Sequence, residues 1–239
     1  MIERRPFHSL SGDRCDWLQA KHHFPPMQPR SGWGALRIWN DDEIAPNSGF
    51  PPHSHVNMEI ITYVRDGAVS HRDSLGNGGR IAAGDIQVMS AGTGIKHAEF
   101  NLEPQTTRLF QIWIKSKADG GAPAWGTKPF PKQDRAGRFV ALASGFESDR
   151  EALPIRAEAR VLGAVLNRDQ TVTYDTEDER FLYLVPSTGL VNVNGVQVEA
   201  QDGAAISSLR QLTITALYDS EVVLVDAPPR RSAFHPETD

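Results

Sequence analysis

His53 and His55 stand one residue apart in GFPPHSHVNMEIITYV, and His97 and Glu99 repeat that spacing in AGTGIKHAEFN. On an extended strand side chains alternate between faces, so each pair points to one side. Two such strands meeting inside a β-barrel would aim three imidazoles and a carboxylate at one point. That donor set suits a divalent first-row metal and leaves about two octahedral positions open for other ligands. A lone H-x-H is a weak signal; its union with H-x-E carries the inference. Glu59 shares parity with both histidines, but it lies four residues beyond His55. That is roughly 13 Å along an extended chain at ~3.3 Å per residue, so ligation by Glu59 would need a bent strand. Glu99 is therefore the preferred carboxylate and Glu59 the reserve.

The remaining chemistry-bearing residues have plainer readings. His71 and Asp73, in SHRDSLGN, are either pocket-wall groups behind the ligands or the end of a hairpin. In the hairpin, the preferred reading, Asp73 and Ser74 hydrogen-bond the turn at Gly76-Asn77-Gly78. His22 and His23, before Phe24-Pro25-Pro26, suit a surface segment capping a barrel, and His8 and His235 are expected to be exposed. The five tryptophans, Trp17, Trp33, Trp39, Trp113 and Trp125, read as core. Cys15 is the sole cysteine, which rules out an internal disulfide and points to a reducing compartment.

The elements that must position these residues are strands. GALRIWN (34–40), MEIITYV (58–64), IQVMS (86–90), RLFQIWIK (108–115) and FVALA (139–143) are short and rich in β-branched and aromatic residues. VLGAVL (161–166), FLYLV (181–185), LTITAL (212–217) and EVVLVD (221–226) continue the series, with Gly, Pro, Asn and Asp between them. In LVNVNGVQVEA, Asn194-Gly195 predicts a two-residue hairpin turn. Pro154 interrupts DREALPIRAEAR (149–160), the one candidate helical turn. The class is all-β, of sandwich or barrel type. Between Lys117 and Gly137 the composition turns to Gly and Pro without alternation, which predicts a connection between two β units, residues 1–130 and 131–239. Seven of the eight histidines lie at or before His97, so the second unit is expected to hold no redox metal.

A formal charge of −5 and a pI near 5.9 give no electrostatic support for nucleic-acid binding. MIERRPFHSLSGDR lacks an apolar core after its basic residues, and no run approaches the ~18–20 apolar residues of a membrane span. The expectation is a soluble, cytoplasmic globular protein.

The run WNDDEIAPNSGFPPHSHVNMEIITYVRDGAVSHRDSLGN, together with GDIQVMSAGTGIKHAEFN, resembles the pirin family of the cupin superfamily. It is closer to the bacterial pirin-like proteins with quercetin 2,3-dioxygenase activity than to eukaryotic pirin. The match runs over about residues 10 to 115 and continues more faintly to EVVLVDAPP. The resemblance implies a bicupin: two antiparallel β-barrels, jelly-roll-like and packed face to face, with one metal in the N-terminal barrel and none in the C-terminal one. Its metal positions fall on His53, His55, His97 and Glu99. It implies one divalent transition metal per chain, Fe(II) first and Mn, Co, Ni, Cu or Zn as alternatives. It implies a flavonol-like substrate and O2, with Glu99 as general base, and neither nucleic acid nor membrane as partner. It equally allows a second function, that of a metal- and redox-dependent regulatory protein binding a protein partner, as eukaryotic pirins do. The chain departs from the family at Ser54 and at Val56-Asn57-Met58-Glu59, where pirin-like sequences often carry H-P-H and a different following stretch. These positions touch the pocket mouth and bear on substrate identity.

Overall fold

A computed structural model of the chain describes residues 1–25 and 31–230, so Pro26 and His235 lie outside the described residues. The first half runs through β1 (Ile2–Arg5), β2 (Ser11–Arg14), β3 (Leu18–His22), β4 (Leu36–Ile44), β5 (Ser48–His55) and β6 (Met58–Asp66). It continues with β7 (Ala68–Asp73), β8 (Gly78–Ala82), β9 (Ile86–Ser90), β10 (Ile95–Asn101), β11 (Thr107–Lys115) and β12 (Ala124–Lys128). The second half holds β13 (Val140–Ser144), β14 (Leu153–Pro154), β15 (Arg160–Leu166), β16 (Thr171–Asp175) and β17 (Phe181–Thr188). β18 (Leu190–Val193), β19 (Val196–Glu199), β20 (Gly203–Ser207), β21 (Gln211–Ala216) and β22 (Ser220–Ala227) complete it. Every run read as a strand from its β-branched and aromatic content is one. Asn194 and Gly195, at φ 45° and 92°, make the turn between Val193 and Val196.

Each half faces a seven-stranded sheet with a four-stranded one. In the first half the orders are β12-β9-β6-β11-β4-β3-β2 and β5-β10-β7-β8; in the second they are β1-β20-β17-β22-β15-β13-β14 and β16-β21-β18-β19. Among the described residues no ladder joins the two sheets of a half, so each is a jelly-roll sandwich and not a closed barrel. Strand β1 crosses over: it precedes the first half yet pairs with β20, and Arg4 reaches Asp202 there through Nε at 2.7 Å. The Gly- and Pro-rich connection also contains an unforeseen strand. β12 pairs with β9, anchored by Trp125, whose indole N–H donates to Gln87 Oε1 at 2.9 Å. One bulky residue outweighed the poor strand composition around it.

The two seven-stranded sheets pack face to face. Ile61, Tyr63, Phe110 and Ile112 of the first meet Leu142, Tyr183, Val223 and Val225 of the second in one buried cluster. Each such side chain contributes about 1.5–3 kcal/mol, so this seam is a core and not a loose domain contact. Tyr63, Arg135 and Glu221 form a polar group inside it. Tyr63 donates to Glu221, and the fully buried Arg135 donates to the Tyr63 hydroxyl at 2.8 Å and pairs with Glu221 at 3.0 Å. The space between the sheets of the second half is filled by apolar side chains such as Leu162, Leu184, Val193, Ile214 and Leu224. Among the described residues no helix is long and apolar enough to cross a membrane.

Candidate metal centre

Strands β5 and β10 are hydrogen-bonded neighbours, and their register sets His53 opposite His97 and His55 opposite Ile95. Between His97 and Glu99 the register slips, so Glu99 stands opposite Phe50. The extra residue falls in the Pro51-Pro52 segment, which has no N–H to give to a ladder and so suits a bulge. Before β10 the chain turns at Gly92, φ 50°, where a Cβ would collide with the Gly121 carbonyl. Gly92 in turn accepts the Asn57 N–H at 2.9 Å and ties the start of β6 to the end of β9.

Three imidazoles converge as their spacing predicts. Ring centroids lie 4.5 Å apart for His53 and His97, 4.7 Å for His53 and His55, and 5.0 Å for His55 and His97. The Nε2 atoms of His53 and His97 are 3.1 Å apart. Two nitrogens each ~2.1 Å from one ion and at right angles would be about 3 Å apart. His53 Nδ1 donates to the Pro51 carbonyl at 2.8 Å, which leaves its Nε2 lone pair for the cavity. His55 Nε2 is buried with no partner among the described residues. Burial, followed by the neighbouring His53, holds His55 down at about 4, and the same causes with His55 and His71 added hold His97 at about 3. Neutral imidazoles are the form that binds a metal.

Glu99 sits 2% exposed beside them. Its Oε1 accepts from Thr62 Oγ1 at 3.0 Å and from Gln87 Nε2, and its Oε2 accepts from Gln111 Nε2 at 2.5 Å. Burial pushes this carboxyl up to about 7 against the pull of those donors. The donor atoms of His53, His55 and His97 all lie within 4.8 Å of one another, and so do those of His71, His97 and Glu99. Three imidazoles and a carboxylate of this kind fit a divalent transition ion of borderline softness.

Glu59 goes elsewhere. Asn57, at φ 51°, resets the alternation between the strands, so Ile60 lines the cavity while Glu59 turns to the opposite face. There it accepts from Ser90 Oγ at 2.5 Å and Ser116 Oγ at 2.8 Å. His71 satisfies both readings at once. Asp73 accepts from the Leu75 and Asn77 amides of the turn, while its Oδ2 lies 3.3 Å from His71 Nε2. His71 is 1% exposed, stacks on Trp125 at 4.9 Å and stands 5.3 Å from the His97 ring.

Other residues differ from their sequence reading. His22 and His23 are buried and do not form a surface cap: His22 bridges Asn40 at 2.9 Å and Asp13 at 3.1 Å, and His23 meets the Tyr183 hydroxyl at 2.9 Å. Trp39 is core, but Trp113 sets its ring edgewise to His55 at 4.8 Å on the cavity wall. Cys15 and His8 are exposed.

The cavity measures about 70 Å3 and is walled by the imidazoles and Glu99, by Asn40 and Asp42 of β4, and by Gln111 and Trp113 of β11. Sequence reasoning missed Asn40, Asp42, Thr62, Gln87 and Gln111. Their signal was a polar residue on the inward phase of a buried strand, as Gln111 is within RLFQIWIK. Asp42 is 1% exposed, and burial, then Asp41 and Glu99, raise its carboxyl well above the usual range.

Two face-to-face jelly rolls, one enclosing a His-rich cavity and one filled with apolar side chains, define a two-domain protein of cupin type. Residues 4–114 match the Pirin family model, and residues 142–227 match the model described as quercetinase C-terminal cupin domain. The chain is 63% identical to a pirin-like protein of Caulobacter vibrioides, over 95% of this chain and all of that one. It is 37% identical to quercetin 2,3-dioxygenase of Escherichia coli, over 89% of this chain and 93% of that one. The crystal structure of the bacterial pirin YhhW from Escherichia coli in complex with nickel(II) superposes with a TM-score of 0.89. It is 34% identical and covers 96% of this chain and all of its own. The chain belongs to the pirin family.

Proposed function

We propose that this protein is a metal-dependent dioxygenase that opens a flavonol such as quercetin with O2. The observation that carries the reading is the convergence of His53, His55 and His97 on one point of a cavity that also holds Glu99. The relative named quercetin 2,3-dioxygenase and the nickel(II) complex of a bacterial pirin support it. His53, His55, His97 and Glu99 would hold one divalent ion, with Fe(II) the expected resident and Mn, Co, Ni, Cu or Zn the alternatives. Bound there, the ion supplies a Lewis-acidic anchor for a substrate oxygen and a path for electrons between substrate and O2. The division of labour is a metal-binding unit over 1–130 and a metal-free partner over 131–239. The site of action is the cytoplasm.

The chain's own residues shape the rest. A cavity of about 70 Å3 is well below the ~300–1,000 Å3 of a pocket that engulfs a drug-sized ligand, so only the hydroxyl-bearing edge of a flavonol would reach the imidazoles. Phe50 and Trp113 give that edge apolar walls. Glu99 is also the sequence-derived candidate for general base, yet three donors already hold it. The test is aerobic turnover of quercetin, read as loss of its visible absorbance, after loading with Fe, Mn, Co, Ni or Cu in turn. Turnover with at least one of them is expected; none with any would sink the reading.

A further inference from the structure

Away from the metal centre, another cavity opens where the crossing strand β1 meets the first half. It measures about 630 Å3, within the range of small-molecule sites. Arg5 and Pro6 wall it at the end of β1, and Ser11, His22 and His23 wall it from the first half. Leu10, Phe24 and Pro25 give it an apolar side, and Ser31 completes the lining.

Two polar groups of this wall have no partner. His23 is 3% exposed, and its Nε2 is buried without a hydrogen bond, as is Ser31 Oγ. Unsatisfied buried polar atoms are costly and rare in a native fold. The neighbours decide what His23 offers. Its Nδ1 lies 2.9 Å from the Tyr183 hydroxyl. Arg5 donates to that hydroxyl oxygen, since a guanidinium has donors only. The hydroxyl keeps its own hydrogen to give, and His23 Nδ1 is the acceptor that it meets among the described residues. Gly203 makes room for the pair: a Cβ there would stand 2.0 Å from the hydroxyl and 2.8 Å from Nδ1. A neutral imidazole that accepts at Nδ1 carries its hydrogen on Nε2. The buried, unpartnered nitrogen is therefore a donor, and the Ser31 hydroxyl is a second.

The charge nearby is positive. Burial, then Arg5, Arg65 and His22, hold His23 down at about 3, with no acid among the causes. Arg5 is fixed over the ring faces of Phe24, Trp33 and Tyr183, and its Nη1 donates to the His23 carbonyl at 3.3 Å. Glu3 pairs with Arg5 Nε at 3.1 Å from the exposed rim, where water screens the contact. Donors lying under a fixed cation favour an acceptor that carries negative charge.

We propose that this cavity binds a small organic acid. Its carboxylate accepts from His23 Nε2 and Ser31 Oγ, and its apolar body lies along Leu10, Phe24 and Pro25. The site is independent of the dioxygenase reading. The bound acid touches the end of β1, which pairs with the second half, and the segment after β3 of the first half. Binding to the folded chain alone raises its melting temperature.

The test uses the full chain, metal-free, with benzoate, acetate and the neutral benzamide as probes. Nitrogen NMR of the histidine rings should show the His23 hydrogen on Nε2; a hydrogen on Nδ1 would overturn the assignment. Benzoate should raise the melting temperature and move the His23 resonance in a one-site titration. It should bind at least ~10-fold more tightly than benzamide, the scale of a hydrogen bond to a charged group. Acetate should move the same resonance but bind more weakly, for want of the apolar body. His23→Phe keeps a ring beside Tyr183 and Trp39 without the donor, and Ser31→Ala removes the other donor. Each should weaken benzoate ~10-fold or more, and Ser31→Ala decides the matter if His23→Phe does not fold. His97→Ala should bind benzoate as wild type does; loss of binding there would place the acid at the metal centre and sink the proposal. Equal affinity for benzoate and benzamide, unchanged affinity in Ser31→Ala, or a His23 resonance that neither acid moves would do the same.

Discussion

At the residue scale the two ligand types separate by experiment. His97 belongs to both donor groups, the outer one with His53 and His55 and the inner one with His71 and Glu99. His97→Ala should therefore lose the metal and the activity together, while the apolar cores of both halves keep the protein folded. Metal analysis and a thermal melt check this, and stoichiometric metal in the folded variant would count against the site. Glu99→Gln keeps the shape of the side chain but turns one acceptor oxygen into a donor facing Thr62, Gln87 or Gln111. Metal affinity should weaken moderately, and the same metal analysis with stepwise chelation reads it.

At the element scale, the turn between β5 and β6 decides which carboxylate faces the candidate metal centre. Counting parity through an unbroken strand puts Glu59 on the face of the histidines; the left-handed Asn57 breaks that count. Glu59→Gln should keep full metal content and most of the activity, because both Glu59 oxygens are spent on Ser90 and Ser116. Metal loss in Glu59→Gln, with Glu99→Gln unaffected, would reverse the assignment. The H-x-H and H-x-E pairs were legible because they lie within strands, where period two is a geometric necessity. The bulge at Pro51-Pro52 was not, since it depends on how β5 registers against β10.

At the scale of the whole molecule, the seam between the halves ties stability to pH. His23 is buried there against Tyr183, and burial, then Arg5 and Arg65, lower its pKa to about 3 from an unfolded value near 6.5. Below 6.5 the unfolded chain binds a proton that the folded chain refuses, so stability falls as pH drops from about 6.5 toward 3. His23→Phe should make the pH dependence of the melting temperature of metal-free protein shallower between about pH 6.5 and 4, with His55 and His97 supplying the remainder, whatever it does to the absolute value. An unchanged slope would show that His23 does not carry it. The second half should add no redox-capable ion, because its interior is closed by residues such as Leu184, Val193 and Ile214 and offers no imidazole. Metal analysis should give at most one such ion per chain; a second one lost on substitutions after residue 131 would refute this.

By itself the sequence determined many of the strands, the all-β class and which residues were candidates for a metal centre. These follow from local alternation and from donor chemistry, which need no partner to be read. Only the tertiary structure decided that each half is a sandwich and not a closed ladder, and that β1 serves the sheet of the other half. It also drew Thr62, Gln87 and Gln111 around Glu99 and left Asp42 facing the imidazoles with an unpaired oxygen. Those residues come from four strands distant in sequence. Their meeting is fixed by the order β9-β6-β11-β4 within one sheet and by that sheet's packing against the strands of His53 and His97. No spacing along the chain encodes a contact of that kind.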